Sequence, residues 1–128
     1  MLQDKFLYEY AVIRVIPSIE REEFINTGII LFSKQAAFIK MTYVVNEDKL
    51  KTFTHDLDIE LVKETLCAFE KICNGEQAGG HIASFDIPER FRWLTSVRSS
   101  SIQTSRPHPG FASDLDLTLE KLFKDLVI

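Results

Sequence analysis

Arg14 stands inside an apolar run from Phe6 to Ile16. A guanidinium in a dry site costs several kcal/mol (order of magnitude) unless a carboxylate or a bound anion satisfies it. Two arrangements meet that need: an anion-binding arginine at the base of a pocket, or an ion pair with Glu22, Glu23 or another acid. A second candidate is Arg90-Phe91-Arg92-Trp93-Leu94-Thr95, followed by Arg98-Ser99. Arginine grips phosphate with two parallel hydrogen bonds and a flat ring stacks on a base, so this interleaving suits nucleic acid. The same residues also read as core anchors (Phe91, Trp93, Leu94) whose arginine neighbours reach solvent or an acidic helix.

The remaining titratable clusters point less sharply to chemistry. Glu20, Glu22 and Glu23 could move protons and Asn26 could orient a substrate, but acids so dense on a short polar segment read as a solvated face. His55-Asp56 with Asp58 and Glu60 lacks His-x-x-x-His, cysteine-pair or calcium-loop spacing, and helix capping accounts for these acids better. His81 and His108 are isolated among Gly and Pro, with no Gly-x-Ser-x-Gly context. Residues 74–80 hold three glycines without the Gly-Lys-Ser/Thr ending of a phosphate loop. Cys67 and Cys73, six apart on one helix turning about 100° per residue, fall on different faces and do not bridge. No cofactor or metal is implied.

These residues need a scaffold. Phe6 to Ile16 is dense in aromatic and β-branched types and apolar on both faces, which predicts a central strand ending at Pro17. Ser18 to Asn26 suits a short helix or turn, and Gly28 opens a second strand through Phe32. Residues Ala37 to Tyr43 alternate as an outer strand in a hairpin with the second. Asp58 caps a helix with Ile59, Val62, Leu66, Phe69 and Cys73 at 3.6 spacing, stopped by Asn74-Gly75. Gly75 to Ser84 reads as a loop and Ser101 to Thr104 as a fourth short strand. Ser113 with Asp116 three residues on starts a terminal amphipathic helix. The pattern predicts an α+β fold: one domain over residues 1–128, with a mainly antiparallel sheet of about four strands and helices on one face.

With 128 residues and 14.7 kDa, the chain can bury a core without metal or disulfide support. Its net charge of −4 argues against a surface wholly built for nucleic acid. The charge is uneven, with four arginines and no acid between Arg90 and Ser113, against ten acids and four lysines between Asn46 and Glu89. No signal peptide or bilayer-spanning run is recognised, which makes the cytoplasm the expected compartment.

The combination Tyr10-x-Val12-x-Arg14-x-x-Pro17, Arg21-x-Glu23-x-x-Asn26-x-Gly28-x-x-Leu31-Phe32, Arg90-Phe91-Arg92-Trp93-Leu94-Thr95, Arg98-Ser99 and His108-x-Gly110 resembles a bacterial family catalogued as domain of unknown function 3037. The middle, residues 46–82, carries little of this signature. The resemblance implies a stand-alone protein without an established activity. It also implies a partner, since members are often encoded beside a kinase resembling the HipA toxin kinases.

Together these readings predict an accessory protein, not an enzyme, that docks the neighbouring kinase-like protein through the basic 90–106 segment and the exposed face of an outer strand. The alternative is a phosphate- or nucleic-acid-binding module, with or without catalysis, in which Arg14, Arg92 and Arg98 hold the anion and Glu23 with Asn26 works beside it. A homodimer paired through an outer strand is a third reading. The candidate anion- or partner-binding residues are Arg14, Arg21, Glu23, Asn26, Arg90, Arg92, Trp93, Arg98, Ser99 and His108.

Overall fold

Both faces of the first strand are apolar, so it has to be covered on both sides, and this requirement organises the molecule. The computed structural model describes residues 5–18, 22–52, 57–96 and 100–128. Strand β1 (Phe6–Ser18) pairs antiparallel with β2 (Glu23–Ser33), and β3 (Phe38–Tyr43) adds outside β2. The other edge of β1 is taken by two short strands in tandem. β4 (Ile102–Thr104) lies opposite Ile13 to Val15, and β5 (His108–Ala112) opposite Phe6 to Tyr10. Between them Ser105 keeps the ladder closed: its N–H donates to Val12 O at 2.8 Å and its Oγ accepts from Val12 N at 2.9 Å. β4 and β5 thus behave as one strand with a kink.

Alternation along β1 sorts its side chains to two cores. Ala11, Ile13 and Val15 join Ile25, Ile30, Phe32 and Met41 on one face. Helix α2 (Ile59–Cys73) covers them with Val62, Leu66, Phe69 and Ile72, and helix α3 (Ile87–Leu94) with Phe91 and Leu94. The short helix α1 (Glu47–Lys51), capped by Asn46, adds Leu50. On the opposite face Val12, Ile29 and Leu31 meet Leu115 and Leu119 of α4 (Leu115–Leu126), which lies over β2 and β3. Helices therefore flank both faces of an α+β sheet, not the one expected. A sheet buried on a single face would leave Val12, Ile29 and Leu31 in water.

Several boundaries differ from expectation for identifiable reasons. β1 continues through Pro17 to Ser18 because its register with β2 shifts between Val15 and Ser18, and a proline is tolerated where the ladder is irregular. Glu23 to Asn26 is strand, not helix or turn: pairing with Arg14 and Val15 and burial of Ile25 outweigh local polarity. Residues 77–79 and 82–84 of the expected loop form single 3₁₀ turns. The sheet has five strands, β5 being the addition. The terminal helix is capped by Asp114, whose carboxylate accepts from Leu117 N at 3.0 Å, and not by Ser113. The Asp58 cap, the stop at Asn74-Gly75 and the β2–β3 hairpin stand as read.

Candidate functional site

Arg14 belongs to the α4 face of the sheet, between two cross-strand neighbours: Asn26 on β2 and Gln103 on β4. Its guanidinium carbon sits 4.1 Å from the centroid of the Phe24 ring, a cation–π contact that fixes the plane of the fork. Nε is enclosed and has no hydrogen-bond partner. Among the described residues, no ion pair involves Arg14, so neither Glu22 nor Glu23 neutralises it there. The side chain opens on a cleft of about 290 Å³ that it shares with Ile16, Glu22, Phe24, Gln103 and Thr104. Asn26 is held in place because its Nδ2 donates to Leu126 O at 3.0 Å, which ties β2 to the last turn of α4. Its Oδ1 is enclosed without a partner.

Arg90 and Arg92 do not gather around Arg14. α3 packs on the other face of the sheet, so Arg92 and Arg14 are separated by the sheet itself. Arg90 is committed inside the fold: Nη1 donates to Phe85 O at 2.9 Å, and an added Cβ at Gly75 would come within 3.1 Å of the same nitrogen. There the guanidinium lies where the C-terminal carbonyls of α2 favour a cation. Trp93 is half-buried against the main core, with its ring edge-on to Phe69 at 6.2 Å. A ring so placed is a packing element, not an open stacking platform. Glu23 opens β2 opposite Ser18. His108 begins β5 with its ring 5.3 Å from that of Tyr10, its cross-strand partner. Arg21, Arg98 and Ser99 lie outside the described residues, as do His55 and Asp56.

Arg92 is exposed and takes part in a different feature. On the α2–α3 face, the end of the sheet near β5 is left uncovered, and a groove of about 480 Å³ runs there past Leu7, Glu9, Phe32, Pro88, Arg92 and Pro107. It adjoins a second hollow of about 250 Å³ that shares Leu7, Glu9, Phe32 and Lys34 and reaches Gln35 and Pro109. Leu7 and Phe111 face each other across β1 and β5 and are 44% and 68% exposed. Lys34 and Arg92 bring positive charge to the groove and Glu9 a single carboxylate. Sequence reasoning missed Leu7, Phe24, Gln103 and Phe111. Nothing in the order of residues shows that a helix stops short of the β5 end.

No group of three or more His, Cys, Asp or Glu side chains among the described residues is placed to hold a metal ion. Nor is any described helix long and apolar enough to cross a membrane. No match was found among curated proteins or among solved structures. A family model described as "Protein of unknown function (DUF3037)" matches residues 10–127. That span takes in β1 from Tyr10 onward, the Arg14 cleft, the α3 arginines and all of α4, and the chain belongs to the DUF3037 family.

Proposed function

We propose that this chain is a protein-binding accessory module that works in the cytosol and docks a larger partner through the groove between α3 and β5. The partner is the HipA-like kinase that the family resemblance leads one to expect. The observation that carries this reading is the exposed cross-strand pair Leu7 and Phe111, of which Leu7 lines the groove that also holds Lys34 and Arg92. Contiguous apolar surface of this kind marks interaction sites. The surrounding cations favour a partner that inserts an apolar side chain and presents a carboxylate toward Arg92. Of the basic segment Arg92 contributes to this surface, and β5 takes the place of the outer strand expected over residues 37–43.

The test is co-expression of the full chain with the kinase-like protein encoded beside it, followed by size-exclusion chromatography at micromolar concentration. Co-elution in the wild type and separate elution of Leu7→Asp and Phe111→Asp, with unchanged melting temperatures, support the proposal. Separate elution of the wild type sinks it, and so does co-elution that survives both substitutions. A wild-type chain that elutes as a dimer and captures no kinase would instead favour pairing through the β5 edge.

A further inference from the structure

We propose that the Arg14 cleft, on the opposite face of the sheet from the docking groove, binds a small zwitterion of the α-amino-acid type. The Arg14 fork takes its carboxylate, and Glu22 with its neighbours takes its ammonium group.

The case starts from what Arg14 lacks. A half-buried guanidinium in a structural role should find a carboxylate, yet none of the described ion pairs includes it. Instead the fork is held for binding, with its plane set by Phe24 and its Nε enclosed between strands. This leaves the Nη edge for the cleft. Such a planar pair of donors matches a carboxylate in a two-point contact.

The rest of the lining is rich in acceptors. Glu22 brings a carboxylate, and Gln103 brings an amide whose Nε2 already donates to Ser100 O at 3.2 Å, leaving Oε1 to accept. Among the described lining residues, one cationic fork facing the Glu22 carboxylate and the Gln103 amide oxygen suits a ligand with one carboxylate and one ammonium. It suits a phosphate dianion poorly, because Glu22 would repel it. The volume of about 290 Å³ sits at the lower end for small-molecule sites, the size of a free amino acid and not of a nucleotide. The site is independent of the docking proposal, since none of its residues lines the groove.

The experiment is isothermal titration of the full chain with each common α-amino acid at millimolar concentration. The controls are inorganic phosphate, acetate, and the N-acetylated and C-amidated forms of any binder. The expected result is saturable binding of at least one amino acid, with both blocked forms weaker by about tenfold or more, and no comparable binding of phosphate or acetate. Arg14→Lys should weaken the binder by at least about tenfold, since lysine keeps the charge but loses the fork. Should that variant fail to fold, Glu22→Gln, at an exposed position, should weaken the amino acid while leaving its N-acetylated form, which has no ammonium group, unchanged. Absence of binding by every amino acid overturns the proposal, as does phosphate binding more tightly than any of them, or equal binding of the blocked forms. None of these outcomes bears on whether Phe111→Asp releases a kinase, so the two proposals fail separately.

Discussion

Cys73 is enclosed in the main core and Cys67 faces solvent, although both lie on α2. Burial pushes the Cys73 thiol up to about 12, with Glu70 adding to the shift and the Arg90 guanidinium opposing it. A disulfide reagent at mildly alkaline pH should therefore titrate one thiol in the native protein and a second only after unfolding. Burial likewise raises the Tyr8 and Tyr43 hydroxyls, helped by Tyr10 in the first case and by Glu70 in the second. For all three groups the folded state holds its proton more tightly than the unfolded chain. Their contribution to stability is intact below the ordinary values, 9.0 for the thiol and 10.0 for the phenols, and is lost as pH rises through the folded ones. Thermal melts should be flat near neutrality and fall above about pH 9; a curve that rises there would contradict the packing of these groups. Gly110 is constrained by the same Tyr8, because a Cβ at Gly110 would land on the phenol ring. Gly110→Ala should destabilise by roughly 1–3 kcal/mol. Combining it with Tyr8→Ala should cost less than the sum of the two changes, which a double-mutant cycle reads directly. Arg14 was legible as an anomaly because charge inside an apolar alternation stands out. The engagement of Arg90 was not, because its acceptor is a backbone carbonyl that only the turn into α3 creates.

α2 and the β2–β3 hairpin were readable because each writes its own period and carries its own stop signals. α3 and β5 were not. α3 is eight residues long with a proline in its first turn, too short for a periodic pattern to emerge. β5 contains Pro109 and Gly110, which locally read as loop, and it is strand only because β1 needs a partner on that edge. The same difference separates the two candidate sites: α3 positions Arg92 and β5 positions Phe111, so the groove could not be assembled before both elements were known. Helix α4 shows how a cap is settled by geometry when several residues qualify. Asp114→Ala should cost about 1 kcal/mol in a denaturant melt, whereas Ser113→Ala should cost little. Truncating the inner face of that helix matters more. Leu119→Ala should cost about 2–5 kcal/mol and loosen the cover over Val12, Ile29 and Leu31. A loss as small as that of the cap would mean that α4 is only peripherally attached.

At the scale of the molecule, the sheet keeps the two hollows on separate faces. The groove with Arg92 opens on the α2–α3 side and the Arg14 cleft on the α4 side, and their linings share no residue. Of the expected anion cluster, Arg14 and Arg92 fall on opposite faces, because strand alternation and helix packing decide on which side a residue ends, and proximity in composition does not; Arg98 lies outside the described residues. β1 is the partition, and its two edges are closed at very different times. β2 follows it within a few residues, but the strands that cover the second edge begin only at Ile102. Synthesis proceeds from the N-terminus. The most apolar strand therefore emerges with one edge unpaired, and it stays so until residues 102–112 have left the ribosome. Through that interval the nascent chain presents an extended, hydrogen-bond-hungry edge, the kind of segment that holding chaperones grip and that neighbouring chains on a polysome can capture.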